Sequence, residues 1–367
     1  MSGQSRSGQS LSLAVYKYQL KSLVLPVKQG DWEVQVTDVP TPASQEVLVK
    51  IIATALNPLD WKIQTYGIFV QSYPFISGSD AAGIVEEVGS AVKSLAKGDK
   101  IAFQGNFDNA HATFQQYCLA SADVAIKIPE NISFDQAASI PLTFATVATG
   151  LWGHHPEAKS AKWPAPWEQD GTTRFAGKPA FILGGSSSVG QYAIQLAKLS
   201  GHSPIITTAS MRNEALLKSL GATHVIDRSL PPADVLQEVR DIADGKPVEY
   251  VYDTISEKDT QVLAYEALAP GGTLLLVQTV SIPEDKKVKT DGKRVIQVFG
   301  SMYSPSNRKL AGELCSHLEG WLRTGVVVPN RVEVLPKGLA GIPEGLERLK
   351  QGKVSGMKLV VRPHETL

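Results

Sequence analysis

The stretch PAFILGGSSSVGQYAIQLAKLSG, residues 179–201, opens with a short apolar run, turns on glycines and serines, and then repeats Val189, Ala193, Leu196 and Ser200 on one helical face before Gly201 stops it. Strand, tight turn and helix in that order open a dinucleotide-binding unit, whose loop is expected to read G-x-G-x-x-G. By spacing, Gly185, Ser187 and Gly190 take the three glycine positions, with serine in the middle one. Gly185 is expected to permit the sharp turn and Gly190 to let the helix pack on its strand. The hydroxyls of Ser186, Ser187 and Ser188, with the amides through Val189, offer donors to a pyrophosphate at the positive helix end. Taken alone, GGSSSVG is equally the composition of a flexible Gly/Ser turn.

The rhythm of the next hundred residues separates these two possibilities. Further apolar runs at 203–208, 223–227, 248–254, 273–279 and 295–301 alternate with helical patterns at 212–221, near 232–243 and at 260–272. Six unbroken or nearly unbroken strands in βα alternation predict an α/β, doubly wound parallel sheet (Rossmann) covered on both faces. An NAD site places Asp or Glu at the end of the second strand, about 20 residues past the loop. Here that segment reads TTASMRNE, residues 207–214, with no acid before Glu214. Ser210, Arg212 and Asn213 are expected to meet a 2′-phosphate instead, which favours NADPH, although Arg212 also reads as a solvated residue of the next helix.

Upstream, EVLVKIIATAL (46–56), AAGIVEEVG (81–89) and KGDKIAF (97–103) are β-like runs broken by turn residues, the pattern of an irregular antiparallel barrel. Downstream of 303, a helix over NRKLAGELCSHLEGWLRTG and a last strand MKLVVR have no βα continuation, so they are expected to return to the first domain. The resulting division is a disordered tail at 1–16, a catalytic barrel at 17–142, a nucleotide domain at 143–302 and the return at 303–367. The Pro/Trp-rich segment 153–178 is expected to be irregular, and its adjacent His154 and His155 to be solvated rather than metal ligands.

A chain of 367 residues fits two domains with a cleft between them. Its 36 basic residues balance 36 acidic ones, which argues against nucleic-acid and membrane-surface partners, because both need a positive field. No apolar run approaches the roughly 18 residues of a membrane span, and the polar N-terminus lacks a secretory core. Two distant cysteines, Cys118 and Cys315, support neither a disulfide framework nor a cysteine-rich zinc site. A cytoplasmic protein with a small-molecule ligand is the expectation.

The motifs NPLDWK (57–62), YPFISGSDAAGIVEEVG (73–89), GDKI (98–101), AASIPLTFATVATGL (137–151), GGSSSVG, LKSLGATHVID (217–227) and GKVSGMKLVV (352–361) together resemble the medium-chain dehydrogenase/reductase superfamily over nearly the whole chain. That resemblance implies a GroES-like barrel built from both chain ends beside the nucleotide domain. Zinc alcohol dehydrogenases of the superfamily carry cysteine where this chain has Asn57, and a Gly-His-Glu motif where it has GSD at 78–80. Their four-cysteine structural lobe is missing too, so no metal site is expected. The zinc-free branch of quinone, alkenal, enone and enoyl reductases remains, and the chain looks most like fungal trans-acting enoyl reductases of polyketide synthesis.

The resemblance further implies hydride transfer from NADPH to the β-carbon of a carbonyl-conjugated C=C bond, with protonation at the α-carbon. It points to Tyr66 as donor, Lys62 beside cofactor and substrate oxygen, and Thr146 beside the nicotinamide. Arg228 is implied near the adenosine phosphate, with Val277, Phe299, Gly300 and Lys358 as further cofactor contacts. Asn57 and Asp60 read as shaping their turn. A quinone reductase and a non-catalytic NADPH-binding protein are the alternatives. A carrier protein or polyketide synthase is a further partner the resemblance raises, and relatives occur as monomers and homodimers.

Overall fold

A computed structural model describes residues 19–287 and 290–367, so the expected tail at 1–16 lies outside the described residues. Six parallel strands, Ala180–Leu183, Ile205–Ala209, His224–Asp227, Tyr250–Asp253, Thr273–Leu276 and Arg294–Gln297, form one sheet in the spatial order third, second, first, fourth, fifth, sixth. This is the doubly wound order, with its switch point beside the first strand. The pleat sorts the core onto two faces. Phe181 and Leu183 join Val251, Leu274 and Leu276 on one, while Ile182 joins Tyr252 and Leu275 on the other.

Three strands end earlier than their apolar runs predict, at Asp253, Leu276 and Gln297. Side chains capture the backbone there: Ser256 Oγ accepts from Val277 N at 2.9 Å, and Thr254 Oγ1 donates to Leu183 O at 2.7 Å. The residues beyond these points are released into loops at the carboxyl edge of the sheet, where such folds hold ligands.

The second sheet centres on Glu46–Ala55, which pairs antiparallel with Asp80–Val88, Tyr117–Ser121 and the terminal strand Lys358–Val361. Chain ends some three hundred positions apart thus share one sheet, Val360 lying opposite Ala55. A small three-stranded sheet of Glu33–Asp38, Gln19–Leu25 and Phe75–Ile76 completes this part. The helix Pro141–Trp152 joins the two parts: its start is held to the barrel, where Leu142 N donates to Asp80 Oδ1 at 2.6 Å.

The segment 153–178 has no regular element, as its composition predicts, but it is docked by its rings. Trp163 packs at 4.8 Å from Tyr250 and 4.5 Å from Phe175, and Trp167 stacks at 4.5 Å on His317. His154 faces Glu168 at 3.2 Å, half exposed.

Candidate active site

The nucleotide loop is held in shape by its own side chains. Gly184, not Gly185, takes the left-handed conformation, at φ +75°, where any Cβ is strained. Gly185 is required for a different reason: an added Cβ would stand 2.2 Å from Thr207 Oγ1. At Gly190 it would stand 2.3 Å from Gly184 O, so the helix Ser188–Leu199 can approach the loop only through glycine. Ser187, at the altered fingerprint position, is the helix N-cap. Its Oγ accepts from Gly190 N at 2.9 Å and pairs with Thr254 Oγ1 at 2.9 Å. Its hydroxyl therefore serves the loop, rather than standing ready as a phosphate donor. The first turn of the helix, at Ser188 and Val189, opens into a cavity.

That cavity, about 590 Å³, lies between the carboxyl edge of the parallel sheet and the helix Pro58–Tyr66 of the barrel. Of the residues expected at the site, Lys62, Thr146, Ser186, Ser187, Ser188, Val189, Val277, Phe299, Gly300 and Lys358 line it. Lys62 Nζ donates to Gln278 Oε1 at 2.7 Å, joining barrel to nucleotide domain, and Gln278 is fixed in turn by donating to Ile255 O at 2.7 Å. Burial pulls the Lys62 ammonium below the ordinary lysine value, with Glu257 acting the other way. Thr146 Oγ1 donates to Leu142 O at 2.7 Å, and a Cβ on Gly300 would stand 2.3 Å from Thr146 Oγ1.

Tyr66 is not brought to the cavity. It ends its helix 57% exposed, its ring tilted against Trp61 at 5.8 Å. Lys62 and Tyr66 are one turn apart on a short helix, yet Gly67 caps that helix in left-handed conformation and its last residue points to water. Lys358 lines the cavity and is also held in a buried network. It is 4% exposed, and its Nζ donates to Asn57 Oδ1 at 2.6 Å and Asp80 Oδ2 at 3.1 Å. Asn57 Nδ2 also donates to Asp80 Oδ2, at 2.9 Å. Asp60 accepts from Asn57 N at 2.8 Å and from Ser77 Oγ at 2.8 Å. Full burial pushes its carboxyl up to about 6, and pushes Asp80 up against the pull of Lys358. Asn57 and Asp60 do shape their turn, but as members of a buried charged network.

Ser210, Arg212 and Arg228 follow the carboxyl ends of the second and third strands, on the side of the sheet edge where the loop lies, and none of them lines the cavity. Ala209 and Asp227 are paired, Arg228 N donates to Ala209 O at 3.0 Å, and both arginines are exposed. Asn213 is buried and donates from Nδ2 to Ser355 Oγ at 2.9 Å, while Gly356 N donates to Ser186 O at 3.1 Å. The C-terminal turn is thereby laid against the nucleotide loop.

Gln278, Asp80, Ser355 and the rings of Phe69 and Phe107 also belong to this region. A signal existed for one pair. Lys358 opens an otherwise apolar strand and Asp80 one whose next five residues are apolar or glycine, and a charge at an inward strand position needs a partner. Nothing local marks the others.

Residues 188–314 match the family model described as zinc-binding dehydrogenase, and residues 43–130 match the alcohol dehydrogenase GroES-like domain. The chain is 30% identical over 344 residues to the trans-enoyl reductase grgB of a Penicillium species, covering 88% of this chain and 92% of that protein. It is 33% identical over 353 residues to the trans-enoyl reductase ACTTS2 of Alternaria alternata, covering 92% and 97%. Among solved structures, the quinone oxidoreductase from Coxiella burnetii superposes with a TM-score of 0.71 at 26% identity, covering 94% of this chain and 99% of that one. Fold, cleft and relatives together define an oxidoreductase of the kind that binds nicotinamide cofactors. The chain belongs to the medium-chain dehydrogenase/reductase superfamily, in its enoyl reductase branch.

The zinc in the family description does not fit the residues here. Where a ligand cysteine would stand, Asn57 is bonded to a buried lysine ammonium, which a dication beside it would repel. Among the described residues no group of three or more His, Cys, Asp or Glu side chains is placed to hold a metal ion. Nor is any described helix long and apolar enough to cross a membrane.

Proposed function

We propose that the protein is an NADPH-dependent, zinc-independent reductase of carbonyl-conjugated C=C bonds, acting on an enone, enal or enoyl thioester. The single observation that carries this reading is Lys62, a cation drawn into a substrate-sized cavity at the edge of the nucleotide sheet, with Asn57 bonded to a second buried lysine, Lys358, on the same cavity. The nicotinamide, when bound, supplies a hydride to the β-carbon. The chain's own residues then have two tasks: to hold the cofactor and to stabilise and protonate the enolate that results.

The N-terminal turn at Ser188 and Val189 is suited to the pyrophosphate, and Ser210, Arg212 and Arg228 to a 2′-phosphate. Lys62 carries three N–H donors, of which Gln278 takes one. The remaining donors fit an enolate oxygen, and desolvation makes the ammonium a stronger acid than an exposed lysine. Lys62 therefore takes the role that resemblance gives to Tyr66. An enoyl group is the substrate that the names of the trans-enoyl reductase relatives support.

The test follows NADPH oxidation with 2-alkenals, cyclic enones, enoyl thioesters and quinones. Turnover of the C=C substrates is expected; tight NADPH binding without turnover of any substrate sinks the reading, and turnover of quinones alone replaces it. Lys62→Met is expected to lower kcat by about 10²- to 10³-fold, and Tyr66→Phe by less than about twofold. The reverse order of effects returns the donor role to Tyr66.

A further inference from the structure

The apolar part of the same cavity has a function of its own to explain. Phe69, Phe107 and Phe299 are 61%, 39% and 48% exposed, and every exposed phenylalanine among the described residues lines this one cavity. Ile68 and Met357, each 37% exposed, line it too. Large apolar side chains gathered at one opening mark a binding surface, because leaving them in water forfeits the gain of burial. Phe69 and Phe107 come from different loops, one following the helix Pro58–Tyr66 and the other following the strand Lys100–Gln104, yet their rings stack at 6.0 Å with 16° between planes.

Backbone geometry adds an independent sign. Phe69 sits at φ +67°, a left-handed conformation that a bulky residue adopts only when its surroundings impose it, and such strain gathers at ligand sites. The strain puts a ring into water at the rim, instead of into the core beneath. Lys62 and Gln278, half-buried on the same cavity, supply the polar partners for a carbonyl. An occupant matching both has a polar conjugated head and a hydrocarbon chain that leaves past the rings.

We infer that Phe69 and Phe107 form an apolar clamp for the substrate's hydrocarbon chain, making the enzyme selective for long-chain 2-enoyl groups over short ones. This rests on the proposed reductase activity, and the experiment separates the two. Steady-state kcat/KM is measured with NADPH and a series of trans-2-enoyl thioesters of an N-acetylated aminothiol, with four, six, eight and ten acyl carbons. Each added methylene that reaches the rings is expected to raise kcat/KM by up to about fourfold. The double variant Phe69→Ala, Phe107→Ala is expected to lower the ten-carbon to four-carbon ratio by about tenfold or more, with NADPH affinity reporting an intact fold.

Turnover with no dependence on chain length in the unmodified protein overturns the clamp and leaves the reductase activity standing. So does a double variant whose ratio is unchanged. Absence of turnover at every length, with NADPH bound, overturns the reductase activity and the clamp with it.

Discussion

One wall of the cavity is built of backbone and the other of side chains. On the nucleotide wall, Gly184 is required by its φ of +75°, Gly185 and Gly190 by approaches of 2.2 and 2.3 Å, and Ser187 caps the helix that begins at the next residue. On the barrel wall, Asn57 and Asp80 meet Lys358 directly, and Asp60 joins the same network through Asn57 N, the lysine being separated from Asn57 by 301 positions. The first wall is made by local sterics and belongs to any chain with this spacing. The second is made by mutual neutralisation of buried charges, so each member is tolerable only while the others are present.

The largest effect is therefore expected on the second wall. Lys358→Met leaves the Asp80 carboxylate buried against Asn57 and Leu142 N without its cation, and urea unfolding is expected to show a loss of about 3–5 kcal/mol. The double variant Asp80→Asn, Lys358→Met removes the stranded charge and is expected to recover most of that loss. A single-variant loss under about 1 kcal/mol would mean that the network is not the device that holds this wall.

The same contrast explains which features are legible in the sequence. The doubly wound sheet is legible because each βα unit announces itself within a few residues: PAFILGG ends a strand, SVGQYAIQLAKLSG is a helix, and the order then repeats. Resemblance points to Lys62 and Thr146, and both line the cavity. The same resemblance points to Tyr66, which ends its helix largely exposed, its ring against Trp61. Gln278 has no local mark at all. Its place depends on a strand that stops at Leu276 because Ser256 takes the next amide, a contact between residues 21 apart. The terminal motif assigns Lys358 to the cofactor, and Lys358 does line the cavity, but its bonds to Asn57 and Asp80 are not legible from that motif; they depend on the pairing of strands far apart in sequence.

A smaller effect sharpens the first wall. If backbone holds the part of the cofactor common to NADPH and NADH, then side chains need only read the 2′-phosphate. Arg212→Ala is expected to weaken NADPH by about tenfold, measured by nicotinamide fluorescence, and to leave NADH affinity within about twofold. Equal weakening of both cofactors would place Arg212 in the shared cradle, and no weakening of NADPH would assign it to solvent.

The smallest expected effect concerns the loop that carries Phe107. His111 fastens it, with Nδ1 at 2.7 Å from Asp108 Oδ1 and Nε2 at 2.8 Å from Glu46 Oε1. The hydrogen bond to Asp108 is the largest influence holding the imidazole above its ordinary value of 6.5, and Glu46 adds to it against a desolvation cost. A group raised in this way stabilises the fold fully below its unfolded value, and loses that contribution as pH rises through its folded one. Unmodified protein is therefore expected to lose about 1 kcal/mol as pH is raised through the neutral range above 6.5, the figure kept small because Asp108 is 46% exposed. His111→Gln keeps a polar partner but cannot titrate, so its stability is expected to run flat over that interval, and the difference between the two profiles isolates the imidazole. If the two run parallel, the loop is held by Gln115 and Asn109 instead, and Phe107 owes its place to backbone and amide contacts, as the nucleotide wall does.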